Sequence, residues 1–300
     1  MNQVVPDVYV EHIERLVLGI EPRDAKRRQR IAHPIEIAIE GPPLTTDMKR
    51  GLRDNGRVLT DTMRRVPRHS SCRHVLVYGL PPKPDITLRF LDRYQRFVPR
   101  RIKVPLVMMT DPTDPTELDT IDAPPAVPVG SRPGTLRTRR PQLFPGAAYD
   151  LSEQTTGLRG RVVRPDAADP TVFHPARWAR IDAVRNGAPV GTAHADHKGE
   201  FLLLLDPEAV REGQLVANLT VAVTAHAPLN ALPPPSALDE EVDPLWDLPL
   251  ETLAAPGTIL DGVADGTTLP PGYTTGSATQ NVEFQYGVLR SLGVPPFTIT

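Results

Sequence analysis

Val190-Gly191-Thr192-Ala193-His194-Ala195-Asp196-His197-Lys198-Gly199-Glu200-Phe201-Leu202-Leu203-Leu204-Leu205 is the stretch that decides the fold. Val190 to Ala195 reads as a strand. Asp196-His197-Lys198-Gly199 reads as a tight turn, because an Asp side chain can accept from the backbone two residues on and glycine tolerates φ > 0. Phe201 to Leu205 is then a short, almost wholly apolar strand suited to the centre of a sandwich. Working outward, Asn186-Gly187 is a hairpin signal that predicts a strand on each side, the earlier one running from Trp178 to Val184. Leu158 to Val163 is a further strand. Downstream, Leu219, Val221, Val223 and Ala225 alternate with Thr220, Ala222, Thr224 and His226, the period of a half-buried strand. Thr156 to Ala227 therefore predicts a small antiparallel β-sandwich.

The first hundred residues carry the same signals. Ile35, Ile37 and Ile39 alternate with Glu36, Ala38 and Glu40. Val75 to Tyr78 and Ile86 to Leu91 are further strands, and Val98, Ile102, Val104 and Leu106 suggest another. Pro99 and Pro105 would restrict that last strand to an edge. Leu44 to Val66 is polar and basic and reads as a surface excursion with a helical turn or two that Thr46 could cap. The chain has 35 prolines among 300 residues. Prolines crowd residues 111–150, which read as an extended linker.

The expected fold is all-β: two small Ig-like or transthyretin-like antiparallel sandwiches. The boundaries are 1–110 for a basic first domain, 111–150 for the linker, 151–228 for the second sandwich and 229–300 for an extended C-terminal arm. In the arm, Leu245-Trp246-Asp247-Leu248 and the alternating Val282, Phe284, Tyr286 and Val288 are apolar islands. Each needs a surface to pack on, in its own chain or a neighbour's. There is also an internal echo: a strand precedes Glu21-Pro22-Arg23-Asp24-Ala25 in the first section and Arg164-Pro165-Asp166-Ala167 in the second.

Charge is unevenly distributed. Residues 1–140 hold 25 Lys+Arg against 17 Asp+Glu, a net of +8; residues 141–300 hold 9 against 19, a net of −10. Such asymmetry favours oriented docking. Cys72 is the single cysteine, which excludes an internal disulfide and fits a reducing compartment. The sequence shows neither a signal peptide pattern nor an apolar run of membrane-spanning length, so a cytoplasmic location without membrane insertion is expected.

The second section resembles the carboxypeptidase regulatory-like (transthyretin-like) family through Gly160-Arg161-Val162 and the hairpin Ala193 to Phe201. Ala193 stands where that family commonly has Thr. The resemblance covers about 70 of 300 residues and implies a sandwich fold, while leaving function open. More broadly, the basic β-domain with its Asp92 to Arg101 segment, the regulatory-like module and the apolar arm resemble accessory cap or baseplate proteins of phage-tail-like contractile injection systems. That resemblance implies a released particle assembled in the cytosol.

No Gly-rich phosphate loop, Gly-x-Ser-x-Gly elbow or His-Glu-x-x-His helix is present. His69, Cys72 and His74, and likewise His194, Asp196 and His197, cluster in sequence, but turn and strand structure explains them more simply than zinc does. Asp111, Asp114, Glu117, Asp119 and Asp122 lack the glycine hinge of a calcium loop. The expected protein is non-catalytic, with no cofactor and no nucleic-acid partner. Its partners would be other protein subunits, including further copies of itself. Arg100, Arg101, Lys103, Leu245, Trp246, Leu248, Val282, Phe284, Tyr286 and Val288 are the expected contact residues. A carbohydrate- or peptide-binding adhesion module is the alternative.

Overall fold

The structure, a computed structural model, describes residues 16–77, 84–106, 138–151, 155–206, 218–228, 236–255, 258, 260–273, 276–291 and 297–299. The fold is all-β, with three short α-helices among the described residues: α1 (Thr46–Asp54), α2 (Ala237–Val242) and α3 (Gly262–Asp265).

The second section builds one core between two sheets. One sheet runs β13 (Ala188–His194), β12 (Arg180–Arg185), β15 (Asn218–Ala227) and β17 (Gly276–Gln285), all antiparallel. The other centres on β10 (Gly157–Pro165). It pairs antiparallel with β14 (Glu200–Leu204) and β11 (Phe173–Pro175), and parallel with β18 (Leu289–Ser291) and β19 (Phe297–Thr298). The turn before β14 forms as its residues dictate. Asp196 Oδ1 accepts from the backbone N–H of Lys198 at 2.8 Å and of Glu200 at 3.0 Å, and Gly199 takes φ +73°. A Cβ on Gly199 would lie 2.4 Å from the carbonyl oxygen of Val162, so the position excludes any side chain. Asn186 and Gly187 both adopt positive φ at the β12–β13 hairpin. Trp178 does not belong to β12: its φ of +60° breaks the extended backbone two residues before the strand begins.

The first section has a second core. Its main sheet runs β16 (Leu250–Thr252), β7 (Arg100–Pro105), β6 (Asp85–Leu91), β3 (Glu36–Ile39) and β4 (Arg64–Arg65). A smaller sheet places β1 (Leu16–Ile20) between β5 (His74–Val77) and β8 (Thr138–Arg139), and β2 (Arg23–Asp24) pairs with β9 (Gln142–Leu143). Strand β7 is not an edge. The arm segment β16 pairs with Arg101 to Lys103, between Pro99 and Pro105, so neither proline interrupts that ladder. Thr45, not Thr46, caps α1, its Oγ1 accepting from the Met48 N–H. The internal echo has a structural counterpart. Asp24 Oδ1 accepts from the N–H groups two and three residues on, and Asp166 Oδ1 does the same.

Three further expectations are corrected. Residues 138–150 are not linker: β8 and β9 pair with the first section, and Leu143, Phe144 and Tyr149 are buried. Residues 107–137 lie outside the described residues. The two sections are not separate beads, because β14 is buried on both faces. Phe201 and Leu203, with Leu205 just beyond, enter the second core, while Leu202 and Leu204 enter the first. The C-terminal segment is not an arm awaiting a partner. All ten residues of β17 pair with β15, and Val282, Phe284, Phe297 and Ile299 complete the second core. Burial of large apolar side chains stabilises by roughly 1.5–3 kcal/mol each.

Phe284 and Phe297 are fully buried, whereas Tyr286 is 48% exposed. Phe284→Ala and Phe297→Ala should each lower unfolding free energy by about 3–5 kcal/mol in urea titrations. Tyr286→Ala should change it by less than about 0.5 kcal/mol.

Candidate interaction surface

Of the ten expected contact residues, four are buried: Arg100, Leu248, Val282 and Phe284. Arg100 shares strand parity with Ile102 and Val104 and is 1% exposed. Its guanidinium makes a two-pronged pair with Glu251, Nε to Oε1 at 3.0 Å and Nη2 to Oε2 at 2.9 Å, and also donates to the carbonyls of Gln142 and Val263. Arg101 makes a similar fork with Glu40 at 2.7 and 2.9 Å, and Lys103 pairs with Asp85 at 3.0 Å. Leu248 is buried with Val98 and Trp178, and Leu245 packs beside them. Val282 and Phe284 are core residues. Tyr286 and Val288 are exposed, and Trp246 is half-buried with an indole N–H that has no partner among the described residues.

Glu251 does more than balance Arg100. Arg180 Nη2, from the second section, lies 3.0 Å from Glu251 Oε1. One carboxylate from β16 thus joins β7 of the first section to β12 of the second. His194 sits in the same interior, stacked on Phe144 with ring centroids 3.6 Å apart and its Nε2 3.1 Å from the carbonyl of Gly266. Burial, reinforced by the charges of Arg180 and Arg100, holds the His194 imidazole well below its ordinary pKa. Nearby, Asp247 accepts from the Trp178 indole at 2.8 Å and pairs with Arg177, while the Tyr273 hydroxyl donates to the Trp178 carbonyl. The apolar island at 245–248 is therefore a plug over the junction of the two sections.

The exposed chemistry lies on the loop after β6. Asp92 shapes it: Oδ1 accepts from the N–H of Tyr94, Oδ2 from those of Arg96 and Phe97, and His33 Nε2 lies 3.2 Å from Oδ2. Gln95 takes φ +57° to complete the turn. The loop holds Tyr94 out at 66% exposure. Beside it is a cleft of about 410 Å³ lined by Arg65, Arg68, Arg93 and Tyr94, with Glu36 bridging Arg65 and Arg93 at 2.8 and 2.9 Å. In the sequence, this segment stands out only as part of the wider resemblance. The signal missed was Asp92 followed by a run of backbone donors, the same Asx logic recognised at Asp196.

The other sequence clusters hold turns and strands. His69 Nδ1 contacts Ser71 Oγ, while the buried His74 donates to the Ile35 carbonyl. Among the described residues, no group of three or more His, Cys, Asp or Glu is placed to hold a metal ion. The acidic run 111–122 lies outside the described residues. Among them, no helix is long and apolar enough to cross a membrane.

No family model and no curated protein matches the chain. Two solved structures show slight likeness. The Bacillus anthracis TIE protein is 10% identical with a TM-score of 0.21; the match covers 95% of this chain and 34% of that one, so this chain spans about a third of its length. The SpaE basal pilin of Lactobacillus rhamnosus GG is 9% identical with a TM-score of 0.19, covering 71% of this chain and 79% of that one.

Two outcomes follow from the buried charges. Glu251→Gln leaves Arg100 and Arg180 without their counter-charge and should cost about 3–5 kcal/mol of stability, read from urea unfolding. The second concerns pH. His194 and His74 are both held below the ordinary value of 6.5, mainly by burial, so the unfolded chain takes up protons that the folded chain refuses. Stability should therefore fall as pH drops from 7 to 5. His194→Gln should flatten that slope by up to about 1.4 kcal/mol per pH unit in unfolding titrations.

Proposed function

We propose that the chain is a non-catalytic structural subunit that docks onto other proteins. Its place is in a contractile, phage-tail-like injection particle, at the cap end rather than the baseplate. The observation that supports docking is the Asp92 turn, which holds an exposed tyrosine among Arg65, Arg68 and Arg93. Tyrosine buries a large area at little entropic cost, and tyrosine and arginine recur as the energetic centres of interfaces. The body behind the loop is braced by β14, Glu251 and the C-terminal strands, so little conformational entropy is lost on docking. An acidic protein surface is the matching partner chemistry. The particle assignment rests on the sequence resemblance described above.

The second reading, a carbohydrate- or peptide-binding adhesion module, is favoured by a cleft of about 460 Å³. Phe97, Val98, Leu245 and His197 contribute to its lining. Selective binding on glycan or peptide arrays that is lost in Leu245→Ala would promote this reading over the first.

Arg93→Ala combined with Tyr94→Ala alters the exposed loop without touching Asp92 and without setting a second carboxylate beside Glu36. In purified particles, incorporation of this variant should fall at least about tenfold relative to the unaltered chain. Its unfolding midpoint should stay unchanged. Normal incorporation of the variant overturns the docking site, and absence of the unaltered chain from particles overturns the particle assignment.

A further inference from the structure

Arg89 and Arg100 are buried, and the carboxylates of Glu40, Asp243 and Glu251 balance their charge. Arg65, Arg68 and Arg93 are placed differently. All three are exposed, and all three line the cleft of about 410 Å³ beside β3. Glu36 organises two of them: Arg65 Nε lies 2.8 Å from its Oε1, and Arg93 Nε lies 2.9 Å from its Oε2. Both contacts use Nε, so the Nη groups of Arg65 and Arg93 have no partner among the described residues. Arg68 donates through Nη2 to the Ala32 carbonyl and leaves its Nη1 and Nε unengaged among them. Three guanidinium charges therefore share the cleft with the one carboxylate of Glu36, a net of +2.

The other walls narrow what these free donors can hold. Ile35, Ile37, Val66 and Leu91 contribute an apolar floor. His74 also lines the cleft and is 3% exposed. Its Nε2 lies 3.2 Å from the Ile35 carbonyl, which can only accept, so Nε2 carries the proton. Burial, with the charge of Arg68 nearby, holds the imidazole below its ordinary pKa and neutral at pH 7. Nδ1 is then an acceptor, and it is buried with no partner among the described residues. A buried acceptor without a donor is a standing cost that a ligand's N–H removes. A phosphate dianion would suit the arginines but brings no donor. A nucleic-acid backbone needs an extended track of cations, and the whole chain has a net charge of −2. A sugar acid covered in hydroxyls gains little from an apolar floor. A polypeptide segment brings carboxylates that match guanidinium forks, aliphatic side chains and backbone N–H groups together.

We propose that the cleft receives an acidic segment of the partner protein, its two neighbouring carboxylates held by Arg65, Arg68 and Arg93 and an adjacent aliphatic side chain lying on the apolar floor. A backbone N–H of the segment donates to His74 Nδ1. Glu36 fixes two of the guanidinium groups beforehand, so less side-chain entropy is lost on binding. The inference rests on the docking reading and deepens it, from a surface of one charge sign to a segment of stated chemistry.

Fluorescence anisotropy of the full chain tests it, with a labelled peptide in which Leu-Glu-Glu-Leu is flanked by Gly-Ser repeats. At low salt this probe should bind with a Kd of ~100 μM or tighter. A Leu-Gln-Gln-Leu probe should bind at least about tenfold more weakly, and so should the Glu probe N-methylated at both glutamates. Arg65→Ala combined with Arg68→Ala should weaken the Glu probe at least about tenfold while the unfolding midpoint stays unchanged. Arg65→Lys combined with Arg68→Lys keeps the charge, removes the forks and should still weaken it. Equal binding of the Glu and Gln probes overturns the proposal, as does a Glu probe indifferent to the arginine substitutions. Tighter binding of inorganic phosphate or of an oligogalacturonate, read by competition, overturns the polypeptide assignment. If the Glu probe fails to bind yet Arg93→Ala with Tyr94→Ala still blocks particle incorporation, the docking reading stands and only the acidic segment falls. If the probe binds through Arg65 and Arg68 yet that variant enters particles normally, the acidic-segment site stands and the docking reading falls.

Discussion

The Glu251 carboxylate is the constraint on which the arrangement of the two sections depends. It lies between Arg100 and Arg180, and all three side chains are almost fully buried. An ion group of this kind is a weak source of net stability, because removing three charges from water costs several kcal/mol per ion. Its consequence is geometric. The forked bond to Arg100 fixes Glu251 in orientation as well as position, and Arg180 must then come to the remaining side of Oε1. An apolar contact would tolerate sliding between the sections; a buried carboxylate shared by two guanidinium groups does not.

The second constraint is β14, whose alternate residues serve different cores. A strand buried on both faces must be apolar throughout, and Phe201 to Leu205 are. The ion group and this strand act at different places along the same junction. Trp178 and Leu248 supply a third point, with Asp247 satisfying the indole N–H that burial would otherwise orphan. Three separated attachments make relative rotation of the sections costly.

Much of this was legible in the sequence. Period-two runs located β3, β6 and β15, and Asn186-Gly187 and Asp196 to Gly199 located two turns, because each is decided by local sterics and local hydrogen bonds. What escaped was decided by contacts distant in sequence. Phe201 to Leu205 reads as a central strand, but nothing local says that its second face meets another core. Arg100 shares the parity of Ile102 and Val104, which is the mark of an inward-facing position. Its charge suggested a surface patch, and the partner that permits its burial is 151 residues away. Pro99 and Pro105 suggested an edge, yet the strand that covers β7 is short enough to fit between them.

The C-terminal segment shows why an apolar island at the end of a long chain does not by itself imply capture by a neighbour. Val282 and Phe284 needed a sheet edge, and β15 supplied one within the same chain. Satisfying one side of a strand, however, transfers the unpaired backbone to the other side. Adding β17 did not end the sheet; it moved the sheet's boundary outward onto a strand whose one charge is Glu283, with the Arg290 guanidinium donating to that residue's carbonyl.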